Sequence, residues 1–297
     1  MTLDSGREVL AAVAGLAIVV LIVAEVFFDL FHPAHSGALS DWIGRRLFNL
    51  LRRRRSLLPL AGPLSVVIVI ATWVLMLVLG FGLVYYGSFP EGFRTSTGEV
   101  PPRSPQFLSA LYFSFETLIT LGYGDYVPHA VPLRFVATSQ ALIGLGLLTA
   151  SVSSIVLLYP ALSRMRLLAR SVAHFVAAER DASLSIAECD SGAILAAFAR
   201  DVSNTTIDLL HFPIVYYFAA DDAEASLARW TGQLVRIAGQ GMSTTARPEM
   251  RLAAAVLDRA LTDFSVHVAE RFLSIDPADR EAVFRALAKD QAVEMAS

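Results

Sequence analysis

Phe115-Glu116-Thr117-Leu118-Ile119-Thr120-Leu121-Gly122-Tyr123-Gly124-Asp125-Tyr126-Val127-Pro128 is the stretch on which the reading of this chain turns. Its two glycines alternate with bulkier residues, and glycine enters left-handed backbone about as readily as right-handed. A backbone that alternates in this way points consecutive carbonyls to one side. A narrow ring of such carbonyls can replace the water shell of an ion. Thr120 would add its hydroxyl as the innermost ligand, while Tyr123 would turn away and brace the loop. Upstream, 106–119 reads as a helix whose carbonyl pole ends at the loop, a placement that favours a cation. A lone Gly-Tyr-Gly occurs in many loops, so the surroundings decide its meaning.

Those surroundings are apolar. The chain has 297 residues, 55% hydrophobic and only 17% charged, with a mean hydropathy of +0.56; soluble domains carry about 25% charged residues. Three stretches, 9–31, 63–86 and 132–158, reach the roughly 20 apolar residues that cross a bilayer. Between the last two, 105–121 is shorter and holds Ser109, Ser114, Glu116 and Thr117. It is a poor lipid-facing span and fits a half-membrane helix buried in protein. Arginines orient the whole. Arg45, Arg46 and Arg52 to Arg55 lie between the first two spans, and Arg164, Arg166 and Arg170 follow the third. Positive residues mark cytoplasmic loops. The segment 87–104, with Glu91 and Glu99 against Arg94 and Arg103, therefore lies outside, as does the N-terminus, which lacks a cleavable leader pattern.

The expected class is all-α: three transmembrane helices, a re-entrant pore helix with its loop, and a mostly helical cytoplasmic domain. The parts are an N-terminal transmembrane helix (1–32), a basic amphipathic cytoplasmic linker (33–62), the two-span unit (63–159) and the helical domain (160–297). In the linker, Trp42, Ile43, Leu47, Phe48, Leu50 and Leu51 recur near helical spacing between arginines. That pattern suggests a helix drawn to anionic lipid head groups through Arg45, Arg46, Arg52, Arg53, Arg54 and Arg55. After 160, 211–218 reads as a short strand or a buried helix. Gly239-Gln240-Gly241 and Arg247-Pro248 read as a loop, and Asp276-Pro277 as the start of a last helix.

The quoted stretch resembles the pore signature of the potassium channel superfamily, bacterial type, here with an extra N-terminal transmembrane helix. The resemblance covers about 63–159, roughly a third of the chain. It implies that the backbone oxygens of Thr120, Leu121, Gly122 and Tyr123 bind K+ as the permeant ion. Gly124 closes the selectivity filter. One loop per chain supplies a quarter of the ring, so the resemblance implies a homotetramer in a bacterial inner membrane. Two departures stand out: Leu121 replaces the commoner Val, and Ile119 a frequent Thr. Neither removes a ligand. Glu116 and Asp125 match a carboxyl pair behind the filter that would share a proton, with Tyr112 as a donor to Asp125. On the third span, Gly144 and Gly146 match a gating hinge, with Gly144 the better placed. Below them Thr149, Ser151, Ser153 and Ser154 either line a wet cavity or bond within their own helix.

Other features narrow the class. Glu25, Asp29 and His32 share one face of the first span, and with His35 they raise the idea of pH sensitivity. Cys189 stands alone, so no disulfide forms within the chain. No span repeats arginine at every third position, as a voltage sensor would. No glycine-rich dinucleotide motif or β-roll is evident after 160, which leaves a helical sensor or a tetramer-stabilising collar and no evident organic cofactor. A net charge of -3 gives no reason to expect nucleic acid. Nothing resembles a catalytic constellation, so an enzyme is not expected. The alternatives are a non-selective cation channel, which would usually lose Tyr123 or Gly124, and a membrane-anchored receptor with a vestigial pore.

Overall fold

The computed structural model describes residues 2–31, 37–101, 106–186, 188, 192–244 and 246–296. In chain order the main elements are α1 (Thr2–Phe31), α2 (Ala38–Leu51), α3 (Ala61–Tyr86), β1 (Phe93–Thr95), α4 (Gln106–Leu118), β2 (Tyr126–Pro128), α5 (Val131–Ala182), α6 (Gly192–His211), α7 (Leu227–Gly241), α8 (Pro248–Val268) and α9 (Arg280–Asp290). They form two compact units, Met1–Ser40 with Val67–Ile155 and Asp41–Val66 with Val156–Ser297.

The first unit is built from apolar helices. The stretches Gly6–Asp29 and Ser56–Tyr86 and the helix Val131–Ala182 are long and apolar enough to cross a membrane. Helix α4, at 13 residues, spans about 20 Å at 1.5 Å per residue, too short for the bilayer's hydrocarbon core. At its outer end β1 pairs antiparallel with β2, Phe93 opposite Pro128 and Thr95 opposite Tyr126. Aromatic rings fill the space beneath this ribbon. Phe89 stacks on Phe93 with centroids 4.0 Å apart, and Phe113 meets Phe93 and Tyr85 edge-on at 4.9 and 5.0 Å.

The acidic face of α1 caps a turn. Glu25 Oε1 accepts from the backbone N–H of Leu39 at 2.7 Å, and Asp29 Oδ1 accepts from that of Gly37 at 2.8 Å. Both donors stand at or just before the first turn of α2, where backbone N–H groups lack helical acceptors. His32 and His35 lie outside the described residues, as do Arg103 and Cys189.

Helix α5 departs from the expected boundary. It runs 52 residues without interruption, about 78 Å, through the junction drawn at 159/160. Pro160 sits inside it, but the three-four apolar pattern continues past the proline. Leu168, Ala169, Val172 and Ala173 are all buried. That apolar face gives the helix a reason to persist once it has left the hydrophobic window.

The second unit includes the linker. The expected amphipathic helix forms as α2, but its apolar face packs on the C-terminal helices. Phe48 is 2% exposed, with its ring 6.0 and 5.4 Å from those of Tyr216 and Tyr217. Arg52 Nη1 meets Asp290 Oδ1 at 2.6 Å, and Arg271 donates to Asp41. Trp42, Arg45, Arg46, Leu50, Arg53 and Arg54 remain exposed, with the Arg46 guanidinium 5.7 Å above the Trp42 ring. The Arg55 side chain lies outside the described residues.

Of the two alternatives for 211–218 the buried helix is the one found, in 3-10 form: Pro213–Tyr217, with Val215, Tyr216 and Tyr217 buried and Pro at its first position, where its missing N–H costs nothing. Two local boundaries are corrected. Gly239 to Gly241 end α7 rather than forming a loop; the chain turns at Met242. The last helix starts at Arg280, capped by the Asp279 side chain on the N–H of Ala282 at 2.9 Å.

In this unit burial pushes the Tyr217 hydroxyl up to about 12, and burial pushes Tyr216 further, so both stay neutral. The Tyr216 hydroxyl donates to Asp290 Oδ2 at 2.6 Å. Burial holds His267 below its ordinary value of 6.5, opposed by the Leu209 backbone and reinforced by nearby Arg271. The unfolded chain then takes up a proton first, so stability is lost as pH falls through 6.5. The thermal midpoint of the purified protein is expected to drop between about pH 7.5 and 5.5, and His267→Gln to flatten that slope.

Candidate functional site

Helix α4 unwinds into the loop through two bonds: Thr120 N–H to Thr117 O at 3.1 Å and Leu121 N–H to Glu116 O at 2.8 Å. From there the backbone alternates hand. Thr120, Gly122 and Gly124 have φ of 55°, 59° and 77°, every second residue in the left-handed region. The glycines take this conformation freely, whereas Thr120 pays about 1–2 kcal/mol for it. A non-glycine held there marks a functional constraint. The sequence reading gave this freedom to the glycines and did not find it at Thr120. Its signal is only the spacing of two residues before Gly122.

Ile119, Thr120, Leu121, Gly122 and Tyr123 are exposed in the single chain, Tyr123 at 70%. Behind them, Tyr112, Glu116 and Asp125 come together. The Tyr112 hydroxyl faces Asp125, and the Glu116 carboxyl interacts with Asp125 and with the Tyr123 backbone. Glu116 is 3% exposed, and its Oε2 has no hydrogen-bond partner among the described residues. Asp125 Oδ1 accepts from the N–H of Tyr126 at 3.1 Å, where β2 begins.

A buried strut holds this assembly, and it was missed in the sequence. The Tyr85 hydroxyl donates to Gln140 Oε1 at 2.8 Å. Gln140 Nε2 donates to the backbone and side-chain oxygens of Ser114, each at 2.8 Å. The Ser114 hydroxyl donates to Val78 O at 2.8 Å. One side chain thus ties α3, α4 and α5 together. The available signal was a single glutamine in an apolar span, where polar groups find partners or do not persist.

Gly144 lies against the end of α4. A Cβ there would sit 1.9 Å from Leu118 O, whereas one on Gly146 would meet nothing within 4 Å. Gly144→Ala is therefore expected to displace α4 and lower both thermal midpoint and current. Gly146→Ala should leave the midpoint unchanged or slightly raised. The hydroxyls of Thr149, Ser153 and Ser154 donate to carbonyls four residues back, at 2.8 to 2.9 Å, so they bond within their own helix.

Comparison with known proteins bears on this geometry. A family model whose description is "Ion channel" matches residues 73–159, from within α3 through the filter loop and into α5. Over 82 residues the chain is 34% identical to two pore potassium channel c of Oryza sativa subsp. japonica, covering 28% of this chain and 17% of that one. Residues 73–159 are thus similar to the pore region of ion channels, potassium channels among them. Over 140 residues the chain is 27% identical to the voltage-gated potassium channel Kch of Escherichia coli strain K12, covering 47% of this chain and 31% of Kch. Similarity extends beyond the pore in a membrane protein of Bacillus subtilis strain 168 named uncharacterized YdjJ, 23% identical over 242 residues, 79% of this chain and 62% of that one. The chain thus spans less than two thirds of the length of each of these relatives. No solved structure matches it significantly. The matched stretch contains α4 and the loop 120–124, and the likeness is to channels.

Proposed function

We propose that four copies of this chain surround one axis and conduct K+ passively and selectively across a bacterial inner membrane. The observation that carries the reading is the left-handed alternation at Thr120, Gly122 and Gly124, which supports four tiers of backbone carbonyls facing one line. The exposed face of residues 119–123 is the surface that neighbouring chains would cover. Tyr112, Glu116 and Asp125 brace the filter from behind. The inner part of α5 gates the pore. Gly146, free of contacts, suits a bend better than Gly144, which is wedged against Leu118. The N-terminus lies outside and the second unit in the cytoplasm, in keeping with the arginines at 45–55 and 164–170. Anionic head groups meet Trp42, Arg46, Arg53 and Arg54. Arg52 is taken up by Asp290, and Arg45 leans on Asp41 at 3.9 Å.

The test is the reversal potential of the purified protein in a planar bilayer with potassium on one side and sodium on the other. A value near the potassium equilibrium potential is expected. A reversal near zero would replace this reading with a non-selective pore.

A further inference from the structure

The second unit holds a partly open cavity of about 40 Å³ lined by α5, α6, α8, α9 and the start of α7. Leu209, Phe264, Val268 and Leu287 form its apolar wall. Its polar end is unusual. Arg166 lines it, and the buried Nε of that residue has no hydrogen-bond partner among the described residues. The neighbouring arginines on α5 differ. Arg164 is held by Asp208 at 2.6 Å and Arg170 by Asp222 at 3.0 Å. No carboxylate lines the cavity, and the nearby Asp290 is already engaged by Arg52 and Tyr216.

Two further donors converge there. The N-terminus of α7, a 15-residue helix, enters the cavity through Ser226, Leu227 and Ala228. Its first-turn N–H groups lack helical acceptors, and its dipole favours an anion. Ser226 occupies the N-cap position, yet its hydroxyl makes no capping bond although the residue is only 8% exposed. A hydroxyl that makes no capping bond, a guanidinium whose buried Nε has no partner among the described residues and an open helix terminus around an apolar wall amount to an anion site with a hydrocarbon pocket. The volume sets the ligand's size. One water needs about 10–15 Å³ on this measure, so the cavity takes roughly three to four heavy atoms beyond the polar rim, too few for a nucleotide or a lipid chain.

We propose that this cavity binds a short-chain monocarboxylate of about two to four carbons, its carboxylate against Arg166, Ser226 and the α7 N-terminus. The hydrocarbon end then rests on Leu209, Phe264, Val268 and Leu287. The ligand bridges α5, which continues from the pore module, to α7.

The experiment is titration of the full-length protein in detergent with sodium propionate, read by calorimetry and by saturation-transfer NMR. Neither readout requires conduction, so failure here is separable from failure of the channel reading. Saturable binding is expected. Arg166→Gln should weaken it at least tenfold and Ala228→Leu, which fills the cavity, should abolish it, while Arg259→Gln, at an exposed position, leaves it unchanged. Should Arg166→Gln fail to fold, neutral propionamide on the unaltered protein serves instead, and it should bind at least tenfold more weakly than propionate. Absence of saturable binding at about 50 mM overturns the proposal. So does equal binding of propionamide, or full displacement of propionate by equimolar chloride, which would make this a simple anion or water pocket.

Discussion

Gly122→Ala is expected to abolish selective potassium current while leaving both helical units folded. An added Cβ meets no atom within 4 Å, so the defect is not steric crowding but the left-handed φ of 59°. A side chain there costs about 1–2 kcal/mol per chain, and the proposed four-fold ring would repeat the cost four times, about 4–8 kcal/mol in all. Since about 1.4 kcal/mol is a factor of ten in an equilibrium, the carbonyl ring would spend nearly all its time flipped out of register. The measurement is the potassium-to-sodium permeability ratio alongside circular dichroism. An unchanged ratio with unchanged helicity would remove the filter from the loop 120–124.

The second large effect is expected at Gln140. Gln140→Leu keeps the volume but removes three buried bonds, leaving the Tyr85 hydroxyl without a partner while the Ser114 hydroxyl keeps its bond to Val78 O. Each unpartnered buried group costs about 1–3 kcal/mol in water-soluble proteins, and less for interhelical bonds in membranes. A loss of about 2–4 kcal/mol is therefore expected in the pore module, read as a lowered midpoint in a thermal or denaturant scan. Tyr85→Phe removes a single bond and should cost about 1 kcal/mol. If Gln140→Leu proved neutral, α3, α4 and α5 would be held by their aromatic packing alone.

Much of this arrangement is legible in the chain. The spans follow from hydropathy, and α4 ends within one residue of its expected end because its apolar pattern stops at Leu118. Gly122 and Gly124 announce left-handed backbone by being glycine. Thr120 does not, since the neighbouring turn, and not its own preference, forces it there. Long-range partners were the harder part. The apolar face of α2 reads equally well as lipid-facing or protein-facing, because Phe48 finds its cover in Tyr216 and Tyr217, far along the sequence. The reach of α5 was cut short near 158 because the apolar run ends there and charges return, and only the buried row Leu168, Ala169, Val172 and Ala173 explains why the helix continues. Gly144 showed its small size in the sequence but not its neighbour: whether glycine serves bending or contact depends on what lies opposite, here Leu118 O.

The second unit is assembled from two separate pieces of chain, Asp41–Val66 and Val156–Ser297, with the pore module between them. A ribosome makes these pieces at different times. At about 5–20 residues per second, α2 waits roughly twelve to forty-eight seconds before Asp290 emerges to meet Arg52. During that interval Ile43 and Phe48 have no protein cover, while Trp42 and the arginines of the same helix suit a membrane surface. The linker's two faces thus serve two stages of the protein's life. In the proposed membrane orientation the apolar one would rest on the lipid during synthesis and then be covered by the C-terminal helices, as Phe48 is in the folded chain. Removing 160–297 would leave the chain permanently at the earlier stage, so a truncated pore is a protein stopped partway through assembly rather than a minimal version of the whole.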